Sequence, residues 1–379
     1  MEGQWIGEFR GTNEGHLTVN LDYLNGIYIG RFYANDWDRR NPGVAGNMTI
    51  TRNKRKVKGE IFDLMPFDSV YGYLSKAELS EKFQNIIFPI KGTAEGTLDG
   101  NVLKFTWTTD ANTVGTAEVT KSRSEEFSDY PAETMTWNRF KEYVLELNHD
   151  KYIFRGQGGP WRLRTSFHRT GRSDLARYSN NDVTALQRLI TATTKHFFRT
   201  EDATEHSAML SLAQHHGYPT PFLDWTKSPY VAAYFAFEAS EIVSKYTPRI
   251  YVFNKSEWII DTFQAPNIDH PALSLRYLEP LFINNDRALP QQSVTTFSNV
   301  DDIENFIRSN ESRNKKNYLK VIEIESSERN GIIRDLNYMG ITANSLFPGL
   351  DGVCKHLKEI NFDQKKRISS SKRRKRNIG

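Results

Sequence analysis

Arg155 heads the run Arg155-Gly156-Gln157-Gly158-Gly159-Pro160, directly after Tyr152-Ile153-Phe154. A short apolar run that ends at glycines reads as a buried strand, so the guanidinium is presented at a strand end. Its planar fork matches phosphate in two-point contact, and glycine neighbours remove the side chains that would hold a ligand off. The alternative employment for such an arginine is an ion pair with a nearby carboxylate. Further on, His215 and His216 precede Gly217. An imidazole there serves as a general base, orients a ligand, or is a satisfied structural side chain. The nine histidines show no paired ligand spacing and the single Cys354 cannot build a thiolate site, so no metal is expected. No Gly-x-x-x-x-Gly-Lys loop is present to cradle phosphates.

Two domains must position these groups, because 379 residues exceed what one small core organises. Period-two alternation marks strands at Gln4–Arg10, His16–Leu21, Ile27–Ala34, Gly46–Arg52, Lys56–Phe62, Ile86–Gly92, Ala94–Leu98, Val102–Thr109 and Thr113–Thr120. The turns Asn25-Gly26 and Asp99-Gly100 predict consecutive hairpins and hence an antiparallel meander, closed as a barrel or stacked as a sandwich. Trp5 falls on the face opposite Ile6, and Gly3, Gly7 and Gly11 sit where strands of a small barrel bend. This opening strand resembles those of avidins and lipocalins, which implies a domain at 1–122 that encloses a ligand, receives a partner or is simply filled by side chains. Residues 123–133 have linker composition. A helix capped by Thr136 is predicted to bury Trp137, Phe140, Val144 and Leu147. Another, between Asp182 and Phe198, is predicted to bury Leu186, Leu189, Ile190 and Phe197, and Tyr230–Phe237 reads as a helix buried on nearly all sides.

Phe154-Arg155-Gly156, then Gln214-His215-His216-Gly217-Tyr218-Pro219-Thr220, then Leu223-Asp224-Trp225-Thr226-Lys227-Ser228-Pro229 and the Ala/Phe-rich helix after it resemble the FRG domain family in wording and order. The likeness continues through Arg287 and Gln291-Gln292 and closes on Leu336–Gly352, which sets an α+β domain at 134–362. Pro221-Phe222 stands where the family generally has Arg-Leu, and Ser293 where a glycine usually follows the glutamines.

The order of elements in turn resembles ADP-ribosyltransferases. That resemblance implies NAD+ as substrate, with Arg155 on its phosphates or ribose, Thr226 and Ser228 on the nicotinamide-ribose edge, and Trp225 stacked on the nicotinamide. Gly156, Gln157, Gln214, Arg287 and Gln292 complete the binding set it implies. His215, Asp224 and Gln291 join Arg155, Thr226 and Ser228 in the chemistry. Such glycosyl transfer is helped by a carboxylate near the ribose. The late position expected to be Glu holds Gln291 or Gln292, which accepts hydrogen bonds but supplies neither charge nor a proton site. Asp224 or Glu279 is left to provide the charge, unless Asp224 caps the following helix.

The net charge of +4 conceals an asymmetry. Eight basic residues between Lys365 and Arg376 account for more than all of it and leave residues 1–364 near −4. A tail at 363–379 of this composition is expected to be unfolded and able to grip phosphate backbones. One cysteine, no leader-like opening and no long apolar run predict a cytoplasmic protein without a membrane span. Together these readings predict an intracellular bacterial effector, of a phage-defence or toxin kind, that transfers ADP-ribose to a protein or nucleic acid. The rival is a binding module that uses the same pocket, and the basic tail, without catalysis.

Overall fold

The computed structural model describes residues 1–83, 86–238 and 245–363. The basic run from Lys365 to Arg376 lies outside the described residues.

The first domain is a closed antiparallel barrel of eight strands: β1 (Gly3–Gly11), β2 (Glu14–Leu24), β3 (Ile27–Asp36), β4 (Gly43–Asn53), β5 (Lys56–Asp68), then β7 (Gly92–Asp99), β8 (Val102–Thr109) and β9 (Val114–Lys121). Every strand pairs with its successor in this series, and β9 returns to β1 to close the cylinder. The two-residue β6 (Gly72–Tyr73) adds to the edge of β5. Alternation places Trp5, Phe9, Leu17, Val19, Phe32, Met48 and Val119 inside, while Ile6 faces out, as the period of two demands.

One predicted strand is corrected. Ile86–Gly92 is not a strand over most of its length, and only Gly92 begins β7. Pro89 has no N–H for a ladder, and the amides of Ile90 and Lys91 go instead to Asp110 Oδ1, at 2.9 and 3.3 Å. Just before it, a helix at Lys76–Lys82 was missed although Ser75 and Glu78 form a capping box that the sequence displays.

The second domain is built on a seven-stranded sheet in the order β10-β16-β13-β11-β12-β15-β14. Its strands are β10 (Ala132–Thr134), β11 (Tyr152–Gln157), β12 (Phe222–Thr226), β13 (Arg249–Asn254), β14 (Leu275–Leu278), β15 (Ser293–Ser298) and β16 (Leu319–Glu323). The β10–β16 pair is parallel and all others are antiparallel. Helices cover both faces. Phe154, Ile250, Val252 and Ile322 pack on the helices Trp137–Glu146, Pro229–Phe237 and Arg329–Tyr338. Ile153, Tyr251, Phe253 and Val321 pack on Trp258, Ile303 and Ile307 behind.

Of the four residues predicted to bury the helix after Asp182, only two do. Leu186 and Ile190 pack against the Phe167–Tyr178 cluster, but Leu189 and Phe197 are 71% and 65% exposed. The helix runs Thr184–Thr194, so Leu189 lies off the 183-186-190 stripe and Phe197 lies past its end.

The 123–133 segment is no free tether. Ser124 and Ser128 are buried and donate to Asp301 and Glu304, at 2.8 and 2.6 Å. The domains are also locked directly. Gln4 on β1 donates to Asn299 O at 2.8 Å and accepts from Asp301 N at 3.0 Å. Asp22 on β2 accepts from Ser173 N, Asp174 N and Arg172 Nε at 2.9, 3.3 and 3.0 Å.

Candidate functional site

The sheet of the second domain splits between β11 and β12. β11 pairs with β13 along its whole length, and β12 with β15 along its whole length, but β11 and β12 meet only at Phe154 and Thr226. Beyond that point the strands part and leave two lips. Arg155, Gly156 and Gln157 line one lip; Asp224, Trp225 and Thr226 line the other. The cleft between them has a volume of about 450 Å³ and is completed by Trp161, Arg169, Gln214, His215, Phe235, Arg287, Gln291 and Phe347.

Arg155 bridges the split. Its Nη1 donates to Asp224 O at 2.5 Å, while Nε is buried with no hydrogen-bond partner. Burial lowers the guanidinium's pKa to about 10, with Arg169 adding to the depression and Asp224 opposing it. Arg169, which sequence reading missed, stands on the rim with its Nε on Arg164 O at 3.2 Å. Burial and Arg164 depress its pKa too. Its signal was faint: an arginine in a loop helix with no motif around it. Arg287 lies over the Phe347 ring at 5.7 Å and is 3.9 Å from Asp351. Among the described residues, three guanidinium groups thus line the cleft and Asp224 is its one carboxylate. A buried donor without a partner is costly in a native protein, so Arg155 is held between the two lips at a cost.

Asp224 is exposed and held by Gln214, whose amide nitrogen donates to its carboxylate while its amide oxygen accepts from Thr220 Oγ1. His215 Nδ1 is 2.9 Å from Ser211 O, four residues back on its own helix, and 3.1 Å from the Asn285 amide. A proton on Nδ1 answers the carbonyl and leaves Nε2 as the acceptor, whereas the Asn285 Nδ2 contact answers the opposite tautomer. Gln157 donates to Trp161 O at 2.7 Å and Tyr251 Oη at 3.2 Å, so it shapes the wall. Gln291 is buried, and its Nε2 donates to Leu346 O at 2.9 Å.

Several expected roles are corrected. Trp225 shares its face with Leu223, stacks on Phe253 at 5.4 Å and spends its Nε1–H on Thr296 Oγ1 at 3.0 Å, so its indole is core. Thr226 donates to Gln291 O at 2.7 Å and accepts from Ser228 N at 3.0 Å; its hydroxyl ties the split sheet to the following loop. Ser228, not Asp224, caps the Pro229–Phe237 helix, and it lies outside the cleft. Gln292 is exposed, at φ +47°, and also outside. Glu279 binds Lys227 at 2.7 Å and the Tyr277 hydroxyl at 2.5 Å instead of joining the cleft. Gly156 is needed for packing: a Cβ there would overlap Ala232 O and approach Ala236 N to 2.7 Å. His216 is exposed and lines no part of the cleft.

Residues 150–244 match the model of the FRG domain, a stretch that holds Arg155, Arg169, Gln214, His215 and Asp224 but stops short of Arg287 and Gln291. No curated protein matches the chain. Among solved structures, a de novo designed fluorescence-activating β-barrel is similar at 16% identity, covering 32% of this chain and 94% of its own, with a TM-score of 0.22. Rv2717c from M. tuberculosis is similar at 11% identity, covering 32% of this chain and 92% of its own, with a TM-score of 0.19.

Proposed function

From a domain matched to FRG across its arginine-bearing lip, we propose that the cleft binds NAD+ and that the protein transfers ADP-ribose to a macromolecule through an ADP-ribosyltransferase-like fold. The observation that carries this reading is the convergence of Arg155, Arg169 and Arg287 on the lining of one cleft. Guanidinium groups suit a pyrophosphate, which presents several charged oxygens at once. The order of β11, β12 and β15 side by side also supports it, since an arginine, a carboxylate strand and a late glutamine then face one space.

In this reading the bond from ribose C1′ to the nicotinamide nitrogen breaks, and its electron pair leaves with the nicotinamide. Asp224, steadied by Gln214, stabilises the positive charge that develops on the ribose. His215 Nε2 takes the proton from the acceptor nucleophile as it attacks C1′. Phe235 and Phe347 supply apolar surface against which the nicotinamide rests, in place of Trp225. Inside a bacterial cytoplasm such an activity serves a toxin or phage-defence system.

Incubation with labelled NAD+ and cell lysate tests the proposal. Label transfer and nicotinamide release are expected, both lost on Arg155→Ala and Asp224→Asn. Measurable NAD+ binding with neither product would sink the enzyme reading. That outcome would support the second reading, a nucleotide-binding module, which one observation favours: Gln291 stands at the late position and gives its amide to Leu346 O.

A further inference from the structure

The barrel contains a second cavity, separate from the split-sheet cleft and lined entirely by residues of the first domain. Its volume is about 250 Å³. An engineered apolar cavity of roughly 150 Å³ accommodates benzene, so this space suits a molecule of about two fused rings. Native cores leave few voids larger than a water molecule; a space of this size inside a closed barrel is the form that a ligand site takes in such folds.

The walls are aromatic and fixed. Phe9, Phe32, Phe105 and Trp107 contribute rings, with Phe9 and Trp107 edge-to-face at 6.4 Å. Three of the rings are seated on glycines of the neighbouring strand. A Cβ at Gly15 would lie 2.8 Å from the Phe9 ring, one at Gly46 2.7 Å from the Phe32 ring, and one at Gly115 2.7 Å from the Trp107 ring. A side chain at any of these positions would collide with the ring as well as with backbone at Gly15 and Gly115 and with Leu64 at Gly46. The glycines therefore hold the walls back and flat, a pre-organised slot for a planar guest. Met48 lines the same space and adapts to ring edges.

Polarity is confined to the mouth. Asp36 Oδ2 accepts from Asn13 and Asn41 at 2.6 and 3.1 Å, and Asp36 Oδ1 accepts from the Asp38 amide at 2.8 Å. Among the described residues no lysine, arginine or histidine lines the cavity, and Asp36 is its one charged residue. A carboxylate or phosphate ligand would lose its hydration here without gaining a partner. A ligand hydroxyl or ring N–H finds an acceptor in Asp36. Phe88 and Pro89 cross the mouth and extend the apolar wall.

We propose that the barrel binds a neutral, planar, two-ring aromatic molecule that carries a hydrogen-bond donor at the end facing Asp36. The site is independent of the NAD+ reading and stands or falls without it.

The test uses the full chain with 2-naphthol as probe and 2-naphthoate, of nearly the same shape but anionic, as its control. Calorimetric titration should show one saturable site for 2-naphthol at micromolar concentrations and binding of 2-naphthoate at least tenfold weaker. Ala34→Phe, which fills the cavity from its wall, should abolish binding; Ala34→Leu, a smaller change, should weaken it severalfold while the melting temperature without probe stays near that of the unaltered chain. Equal affinity for the two probes would overturn the assignment of ligand charge. No saturable binding, or binding indifferent to both substitutions in folded protein, would overturn the site.

Discussion

Substituting Gly156 by alanine separates two explanations of the same residue. If glycine is there to let a ligand approach, Gly156→Ala should weaken NAD+ binding and leave the fold intact. The structure points elsewhere. The added methyl would overlap the carbonyl oxygen of Ala232 and lie 2.7 Å from Ala236 N and 2.9 Å from Ala232 C, where ordinary contact begins near 3.4 Å. All three are backbone atoms of the Pro229–Phe237 helix, in which Val231, Ala232, Ala233, Tyr234, Ala236 and Phe237 are buried, so no side chain can swing aside. The helix must move off β11 as a body. Overpacking of this kind costs about 1–3 kcal/mol and sometimes more; with a buried helix and a rigid sheet as partners, about 3 kcal/mol is expected. For a domain of this size that is a fall of roughly 6–12 °C in melting temperature. Differential scanning calorimetry and urea unfolding measure it. Unchanged stability together with tenfold weaker NAD+ binding would refute the packing argument and restore the ligand-approach one.

Three further outcomes follow from particular contacts. Trp225→Phe removes the bond to Thr296 and should cost about 1 kcal/mol, with NAD+ affinity kept within about twofold; a tenfold loss would show that the indole meets the ligand after all. Asp22→Ala leaves two buried amides and the Arg172 Nε without their acceptor, Arg172 keeping Asp182. It should destabilise the docked domains by about 2–4 kcal/mol and speed hydrogen exchange at Ser173 and Asp174, and unchanged exchange there would disprove the docking role. His168 is buried, with Nδ1 on Thr165 Oγ1 at 2.7 Å, and burial pushes its pKa down to about 4. Its native pKa lies below the unfolded value near 6.5, so the unfolded chain binds the proton first. The stability this group supports is intact above about pH 6.5 and is lost as pH falls towards 4, by about 3 kcal/mol in all. Denaturant midpoints across that range should show the loss, and His168→Gln should flatten it; an equal slope in both proteins would place the acid sensitivity elsewhere.

The sequence alone determined the antiparallel meander of the first domain and the FRG wording within residues 150–244. Alternation and turn chemistry are local: Asp99-Gly100 makes its hairpin, and Trp5 turns inward, whatever the rest of the chain does. Ten of the twelve proposed site residues line one cleft because the motif stretches place them at the ends of β11 and β12, at the end of the helix Ala203–His215 and on the loop before β15. Local pattern also misled. Ile86–Gly92 looks apolar enough for a strand, but the proline and the waiting carboxylate of Asp110 decide otherwise. Alternation places Trp225 on the same face as Leu223, and in the sheet that face is core.

What only the tertiary structure decided is which face of each residue is used, and by whom. The split between β11 and β12, which makes the cleft, depends on β11 pairing with β13 and β12 with β15, contacts about a hundred residues apart for the first pair and seventy for the second. No local pattern encodes such pairings. The same holds for Gly156, whose reason is a helix some seventy-five residues away, and for Arg169, which becomes a site residue because the fold brings its loop to the rim. A residue type states what a side chain is able to do; burial and the partners already taken leave only part of that ability free.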